Sequence, residues 1–261
     1  MIHLITAENR HLYGPQIEAM HRARAEYFVG GRGWTALRVE NGQERDAYDD
    51  DRALYLVGFE TSGEVAASVR LRPSDDGSVL SDIFPHLVAE GESRGPGIYE
   101  MTRYFGSRAR RGASGFAVRS ALHVATLEAV VERGAGRLLG FTDVAALTLL
   151  RYTGWRVRPV GLPADYEEGT AVAFEVGCAP ADLAETRARL QLAGRQLFEA
   201  PAWLPEGSDV LALADATNVI LNAPATGRRK AMTTVREVEA SWQPQGDLQA
   251  LIARMGERVA A

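Results

Sequence analysis

The segment SGFAVRSALHVATLEAVVERGAG, residues 114–136, constrains the fold most, because it is the clearest helix in the sequence and stands between two predicted strands. The strand before it is IYEMTRYF, and the strand after it is RLLGFT. Upstream, ALYLVGFE and EVAASVRL flank the turn residues TSG and predict a β-hairpin. Strands that alternate with helices and include hairpins predict an α/β (α+β) fold, with a mixed sheet flanked by helices.

The remaining pattern divides the chain into two parts. IHLIT predicts a first strand, YGPQIEAMHRARAEYF predicts a helix, and Asp143 is a candidate cap for a helix that ends at Gly154. From about residue 200 the pattern changes to APAWLPEGSD and two weakly helical segments. We therefore predict one domain over residues 1–200 and a C-terminal extension of unknown role over residues 201–261.

Bulk properties argue against several classes of function. A formal net charge of −5 argues against nucleic-acid binding, and no apolar run approaches the roughly 18 residues of a membrane span. The N-terminus lacks a basic region followed by an apolar segment, and the single cysteine, Cys178, excludes an internal disulfide and a cysteine metal site. The histidines show no metal-binding spacing. We predict a cytoplasmic protein without a metal centre.

The first candidate site is RARAEYFVGGRGW, residues 22–34. Arg24 lies on the apolar face of a predicted helix, Phe28 follows one turn later, and Trp34 stands beyond a glycine loop. Aromatic residues at helical spacing are usually packing residues, and an arginine among them commonly extends its charged end to a carboxylate. The functional interpretation is an aromatic-lined pocket with one fixed cation, suited to an amphipathic ligand.

The second candidate site is the acidic segment that begins at Glu44 and ends at Asp51. Arg70 ends a nearby apolar strand and needs a partner, because an unpaired buried guanidinium is costly. Asp46 and Asp49 are its candidate partners in an ion network. The alternative is a solvated acidic turn, which is the better account of Asp50 and Asp51.

The third candidate site is YEMTRYFGSRARRGASG, residues 99–115. In a regular strand Glu100 and Thr102 would point to one face and Arg103 to the other, unless a bulge reorients them. The basic residues that follow run into the start of the long helix, where backbone N–H groups favour a phosphate. A solvated basic face is the alternative.

Taken together and in order, these motifs resemble the LuxI-type acyl-homoserine-lactone synthases, which make bacterial quorum-sensing autoinducers. The resemblance covers roughly residues 1–200. The matched positions are Arg24, Phe28 and Trp34; Glu44, Asp46 and Asp49 of an ExDxxD segment; Arg70, Leu71 and Pro73 of RLxP; Asp82, Phe84 and Pro85 of DxFP; and Glu100, Thr102 and Arg103 of Ex[ST]R.

The resemblance implies a fold like that of the GCN5-related N-acetyltransferases, a twisted mixed sheet with a V-shaped cleft, and it makes residues 1–200 the autoinducer synthase domain. It implies two substrates, S-adenosylmethionine and an acyl thioester of acyl carrier protein or coenzyme A, and no cofactor. The alternatives are a coenzyme A-dependent N-acyltransferase that acts on another amine, and a non-catalytic binding module.

The resemblance also implies roles for the matched residues. The predicted roles are: an ion network of Arg24, Asp46, Asp49, Arg70, Glu100 and Arg103, with Glu100 the candidate base for the substrate amine; an S-adenosylmethionine lid formed by Arg24, Phe28 and Trp34; thioester phosphopantetheine or carrier binding by Arg108, Arg110 and Arg111; and an acyl pocket near Phe141 and Thr142.

Overall fold

The structure, a computed structural model, describes residues 1–89, 93–106, 113–166 and 169–222. The strands are β1 (Ile2–Ile5), β2 (Val39–Glu40), β3 (Gln43–Glu44), β4 (Leu54–Phe59), β5 (Val65–Pro73), β6 (Ile98–Gly106), β7 (Arg137–Asp143), β8 (Val157–Pro159), β9 (Ala164–Tyr166), β10 (Gly169–Gly177) and β11 (Leu197–Glu199). The α-helices are α1 (Gly14–Arg24), α2 (Val79–Asp82), α3 (Ala113–Glu132), α4 (Val144–Arg151), α5 (Pro180–Leu190) and α6 (Val210–Asn222).

The strands form a mixed sheet in the order β11-β1-β4-β5-β6-β7-β10-β8, and β9 pairs with β10. The pairs β1–β11 and β6–β7 are parallel, and the other neighbours are antiparallel. β2 and β3 form a separate ribbon. The predicted fold class, a mixed sheet flanked by helices, is confirmed.

Helices cover both faces of the sheet. Side chains of β4 alternate between them: Leu56 packs in a core with Leu122 and Ala125 of α3, whereas Val57 packs in another with Met20 of α1. None of the helices in the described part of the chain has both the length and the apolar character that crossing a bilayer requires.

The C-terminal part packs on the second of these cores. β11, which the sequence pattern did not predict, adds to the edge of the sheet beside β1. Leu213 and Ala214 of α6 are buried against Phe198 and Tyr13. The division at residue 200 remains a prediction, and residues 223–261 lie outside the described part of the chain.

A cleft opens where β6 and β7 part. The two strands pair from Ile98 with Arg137 to Met101 with Gly140. Beyond that point β6 continues beside β5, and β7 continues beside β10, but the two strands no longer pair with each other. The sheet therefore separates into two arms at Gly140, as the predicted cleft requires.

Gly140 permits close packing at the root of this cleft. A Cβ there would lie 2.8 Å from Cγ of Met101 and 2.9 Å from Cζ of Phe174. We expect Gly140→Ala to lower the free energy of unfolding by about 1–3 kcal/mol, because overpacking a dense core forces its neighbours to shift. Urea unfolding measures the effect, with Gly136→Ala as the control, since a Cβ at Gly136 meets nothing within 4 Å. Equal stability of the two variants would contradict this account.

Candidate active site

The aromatic candidates lie in a distorted segment after α1. Residues Ala25–Gly31 form a π-helical continuation of the helix, and the backbone N–H of Trp34 donates to the carbonyl of Phe28 at 3.0 Å. This turn stacks the Phe28 ring on the Trp34 ring, with centroids 4.9 Å apart. Phe28 is buried and packs against Phe105 of β6. The segment thus holds Trp34 over the sheet.

Six charged side chains form a closed ring, called the charge ring below. Its members are Arg24, Arg70, Arg103, Glu44, Asp46 and Asp49. Each carboxylate bridges two arginines, so three positive and three negative groups alternate. This arrangement ties the segment that carries Glu44, Asp46 and Asp49 to strands β5 and β6.

The hydrogen bonds of the charge ring are short, and most guanidinium groups donate two of them to the same carboxylate. Arg24 donates to Asp49 at 2.7 and 3.0 Å and to Glu44 at 2.6 Å. Arg70 donates to Asp46 at 2.5 and 3.0 Å, and its Nη1 lies 3.0 Å from Asp49 Oδ1. The side chains of Arg24 and Arg70 are each only 1% exposed. The pairs are therefore desolvated, and each charge depends on its partners.

Arg103 closes the ring through a β-bulge. The register between β5 and β6 shifts between Ser68 and Arg70, and the backbone of Arg103 adopts a φ of 54°. The bulge directs Arg103 to Glu44 at 3.0 Å and Asp46 at 2.8 Å. Thr102, the neighbouring residue, accepts from Nε of Arg70 at 3.0 Å. The bulge considered from the sequence is therefore present.

Neighbouring charges in the ring shift the pKa values of Asp49, Asp46 and Arg24. Burial would raise the pKa of Asp49, but Arg24 and Arg70 outweigh it and hold the pKa well below its usual range. Arg70 and Arg103 likewise hold the pKa of Asp46 down against burial. For Arg24 burial opposes the charge, yet Asp49 and Glu44 raise its pKa above the ordinary value. All of these groups stay ionised at neutral pH, so none of them is poised to exchange a proton.

Glu100 does not belong to the ring, contrary to the predicted network. Its Oε2 accepts from the backbone N–H of Val79 at 3.1 Å, and its Oε1 accepts from that of Leu80 at 2.6 Å. Within the described residues no salt bridge joins it to an arginine. Burial raises the pKa of Glu100 despite these two hydrogen bonds. Glu100 thus supports the start of α2, and its role as a base stays a prediction.

A cavity of about 840 Å³ lies between the charge ring, α2 and the arms of the cleft. Its walls carry Trp34, Phe84, Phe141 and Tyr166 as aromatic surface, and Glu44, Asp46 and Arg103 as charged groups. Phe84 and Phe141 pack together with ring centroids 5.0 Å apart. The combination suits a ligand with an apolar part and a cationic part.

The two residues of the predicted acyl pocket differ in their position relative to this cavity. Thr142 does not line it, because successive residues of β7 point to opposite faces and Phe141 takes the cavity side. Arg108, Arg110 and Arg111 lie outside the described residues.

The two acids assigned to a solvated turn behave differently. Asp50 lies in that turn with its side chain 36% exposed, and it also accepts from Arg72 at 2.8 Å. The side chain of Asp51 is 90% exposed and pairs with Arg10 at the surface.

Sequence reasoning missed two side chains that donate hydrogen bonds to residues of the charge ring. His21 is buried and donates from Nδ1 to the carbonyl of Glu44 at 2.9 Å, and Tyr55 donates to Asp49 at 3.0 Å. Burial, and then the charge of Arg24, lower the pKa of His21 to about 4, so its ring is neutral at pH 7. These residues belong to no recognised motif, although Tyr55 lies only four residues after Asp51, the end of the acidic segment.

Comparisons with known proteins agree with this geometry. The model of the autoinducer synthase family matches residues 8–186. The isovaleryl-homoserine lactone synthase of Bradyrhizobium diazoefficiens is 37% identical over 177 residues, which cover 67% of this chain and 79% of that relative. The acyl-homoserine-lactone synthase of Ralstonia nicotianae is 34% identical over 154 residues, which cover 55% of this chain and 75% of the relative.

Solved structures show the same similarity. BjaI, a coenzyme A-dependent acyl-homoserine lactone synthase solved with SAM and isopentyl-CoA, is 33% identical with a TM-score of 0.72, over 78% of this chain and 95% of that one. MesI, a second coenzyme A-dependent synthase, is 27% identical with a TM-score of 0.67, over 76% of this chain and 98% of that one. The chain therefore belongs to the autoinducer synthase family and is an acyl-homoserine-lactone synthase.

Proposed function

We propose that the protein transfers a short branched acyl group from acyl-coenzyme A to the α-amine of S-adenosylmethionine and then closes the lactone. The closed charge ring carries this proposal, because it fixes an aromatic wall and a carboxylate edge around a cavity large enough for S-adenosylmethionine. The similarity to an isovaleryl-homoserine lactone synthase supports the acyl group, and the similarity to the coenzyme A-dependent synthase BjaI supports the carrier. Acyl carrier protein is the other candidate carrier.

The first step forms an amide bond. The amine nitrogen attacks the thioester carbonyl, the C–S bond breaks, and the thiol leaves with the proton that the amine loses. An α-amine has a reference pKa of about 8, so only mild help from a base is needed. The part of the protein in this step is to hold the two substrates in contact across the cleft, which raises their effective concentration.

The second step releases methylthioadenosine. The carboxylate of the acylated substrate attacks its own γ-carbon, and the bond from that carbon to the sulfonium breaks. Because the sulfonium is already a good leaving group, the step needs mainly a folded substrate conformation and no metal or cofactor. Trp34 and Phe141 offer the aromatic surface on which the cationic centre gains about 0.5–2 kcal/mol.

The remaining predicted residues fit the same scheme. Arg108, Arg110 and Arg111 would bind the phosphate of the thioester carrier, and Phe141 would line the acyl pocket with Phe84. We place the reaction in the cytoplasm, because the chain has one cysteine, Cys178, and hence no internal disulfide to form.

The test is to incubate the purified protein with S-adenosylmethionine and a panel of straight, branched and aromatic acyl thioesters on coenzyme A and on acyl carrier protein. We expect mass spectrometry to detect an N-acyl-homoserine lactone with one equivalent of methylthioadenosine, formed fastest from a short branched acyl-coenzyme A. Acylation of another amine without methylthioadenosine would indicate the ordinary N-acyltransferase. Binding without any product would indicate the non-catalytic module.

A further inference from the structure

Arg32 links the N-terminal segment to the far arm of the cleft. It lies within RARAEYFVGGRGW but has no predicted role there, and its guanidinium forms a salt bridge with Asp143 at the end of β7. Asp143 stands directly before α4, but its carboxylate does not cap that helix. Instead it binds Arg32 and accepts from the hydroxyl of Tyr166 at 2.8 Å. Asp143 occupies the predicted N-cap position of α4, but its carboxylate makes this link and no capping hydrogen bond.

The same groups surround Trp34. The guanidinium carbon of Arg32 lies 5.4 Å from the centre of the Trp34 ring, within cation–π range. The edge of Tyr166 meets the same ring, with centroids 6.5 Å apart, and Phe28 stacks on it. Trp34 and Tyr166 both line the cavity. The position of the cavity wall that Trp34 and Tyr166 form therefore depends on Arg32 and Asp143 as well as on the charge ring.

The two attachments of the N-terminal segment differ in strength. The charge ring holds the segment to β5 and β6, with Arg70 only 1% exposed. The side chains of Arg32 and Asp143 are 33% and 31% exposed, so water screens their attraction. Because β6 and β7 do not pair beyond Met101 and Gly140, the Arg32–Asp143 salt bridge and the contact of Trp34 with Tyr166 link the two arms beyond the point where the strands part. The salt bridge is the weaker of the two attachments.

We infer that Arg32, Asp143 and Tyr166 form a cleft latch, a set of positioning residues that holds Trp34 in the cavity wall for S-adenosylmethionine. This inference rests on the proposed function. When the latch is broken, the charge ring still holds the segment to β5 and β6, but Trp34 loses two of its neighbours. Affinity for S-adenosylmethionine then falls, while the fold and the thioester site are preserved.

The test measures binding of S-adenosylmethionine by calorimetry, which needs no turnover. The variants are Arg32→Ala, Asp143→Asn, the double variant, Arg32→Lys and the exchanged pair Arg32→Asp with Asp143→Arg. The control is Arg133→Ala, which removes a salt bridge of similar exposure to Glu199 at the opposite edge of the sheet. Thermal unfolding of each variant shows whether the fold is retained. Steady-state KM for both substrates is measured on the same proteins.

We expect Arg32→Ala and Asp143→Asn each to weaken S-adenosylmethionine binding about fivefold, with less than a twofold change in the thioester KM. The double variant should be no weaker than either single one, and Arg32→Lys and the exchanged pair should recover part of the loss. Arg133→Ala should bind normally. Additive losses, equal effects on both substrates or binding within twofold of the wild type would overturn the latch. Normal S-adenosylmethionine binding by a wild-type protein that makes no lactone would count against the proposed function alone.

Discussion

Replacing Arg70 by alanine is expected to lower the free energy of unfolding by about 3–5 kcal/mol, because the variant leaves Asp46 and Asp49 with one arginine partner each instead of two. Asp46 loses two hydrogen bonds, and Asp49 loses one of its two arginine partners. The segment that carries them would shift away from the sheet and take the carboxylate edge of the cavity with it. A displacement of about 1 Å at a reacting group costs on the order of 100-fold in rate, so lactone formation should fall by at least that factor.

The measurements are urea unfolding and kcat/KM at saturating concentration of the second substrate. Arg195→Ala is the matched control, because Arg195 is also a buried arginine and pairs with Glu132 and the carbonyl of Leu197, near β11 and away from the cavity. It should lose comparable stability but keep its activity per folded molecule. Arg70→Lys should fail to restore activity, since an ammonium does not reproduce two parallel hydrogen bonds to Asp46. Full activity of a folded Arg70→Ala protein would contradict the role given to the ring.

The spacing of the acidic segment predicted most of the charge ring. Asp46 and Asp49 were paired with Arg70 from the cost of burying a lone guanidinium, and the structure confirms that pairing. The acidity of the segment as a whole was less informative, because Asp51 is exposed whereas Asp50 binds Arg72. A residue's partner depends on which way the turn directs each side chain, and charge alone does not encode that direction.

Glu100 shows where residue type misleads. An acid that shares a motif with Arg103 is an obvious candidate for an ion network, yet Glu100 accepts hydrogen bonds from two backbone groups instead. The two donors belong to the first turn of α2, whose N–H groups have no acceptor within so short a helix and require one from elsewhere in the fold. Which acceptor these N–H groups find depends on the tertiary fold, so a single sequence does not reveal it.

Long-range contacts were also beyond the sequence. Arg32 and Asp143 are separated by 111 positions and meet only because the sheet brings β7 beneath the N-terminal segment. β11 is three residues long and pairs with β1, so its strand pattern is too short to recognise. Local periodicity predicted the sheet and its flanking helices, whereas these contacts required the assembled fold.

Replacing Glu100 by alanine is also expected to cost much stability, because removing its carboxylate leaves two buried backbone donors unpaired. Val79 is 4% exposed and Leu80 is 0% exposed, so water cannot replace the lost acceptor. We expect Glu100→Ala to lower the free energy of unfolding by about 2–5 kcal/mol. Lactone formation should fall with it, since Val79 and the residues after α2, Ile83 and Phe84, line the cavity.

Glu100→Gln separates a supporting role from that of a base. A base would lose most of its kcat in this variant with little loss of stability, and the acid limb of its pH–rate profile would disappear. That limb would lie above the usual range of a glutamate carboxyl, because burial raises the pKa of Glu100. Since both carboxylate oxygens already accept backbone N–H groups and the residue is 3% exposed, we expect stability and activity to fall together and the pH profile to keep its shape.

Glu128→Gln is the control for this interpretation. Glu128 is fully buried and accepts from the backbone N–H of Leu197 at 2.7 Å and of Gln196 at 3.1 Å, so it repeats the two backbone hydrogen bonds of Glu100 at a distance from the cavity, with a salt bridge to Arg187 in addition. The two substitutions should cost similar stability, and only Glu100→Gln should change kcat/KM per folded molecule. If Glu100→Gln were as stable as the wild type but inactive, its carboxylate would have to reach the substrate, and the supporting role would be wrong.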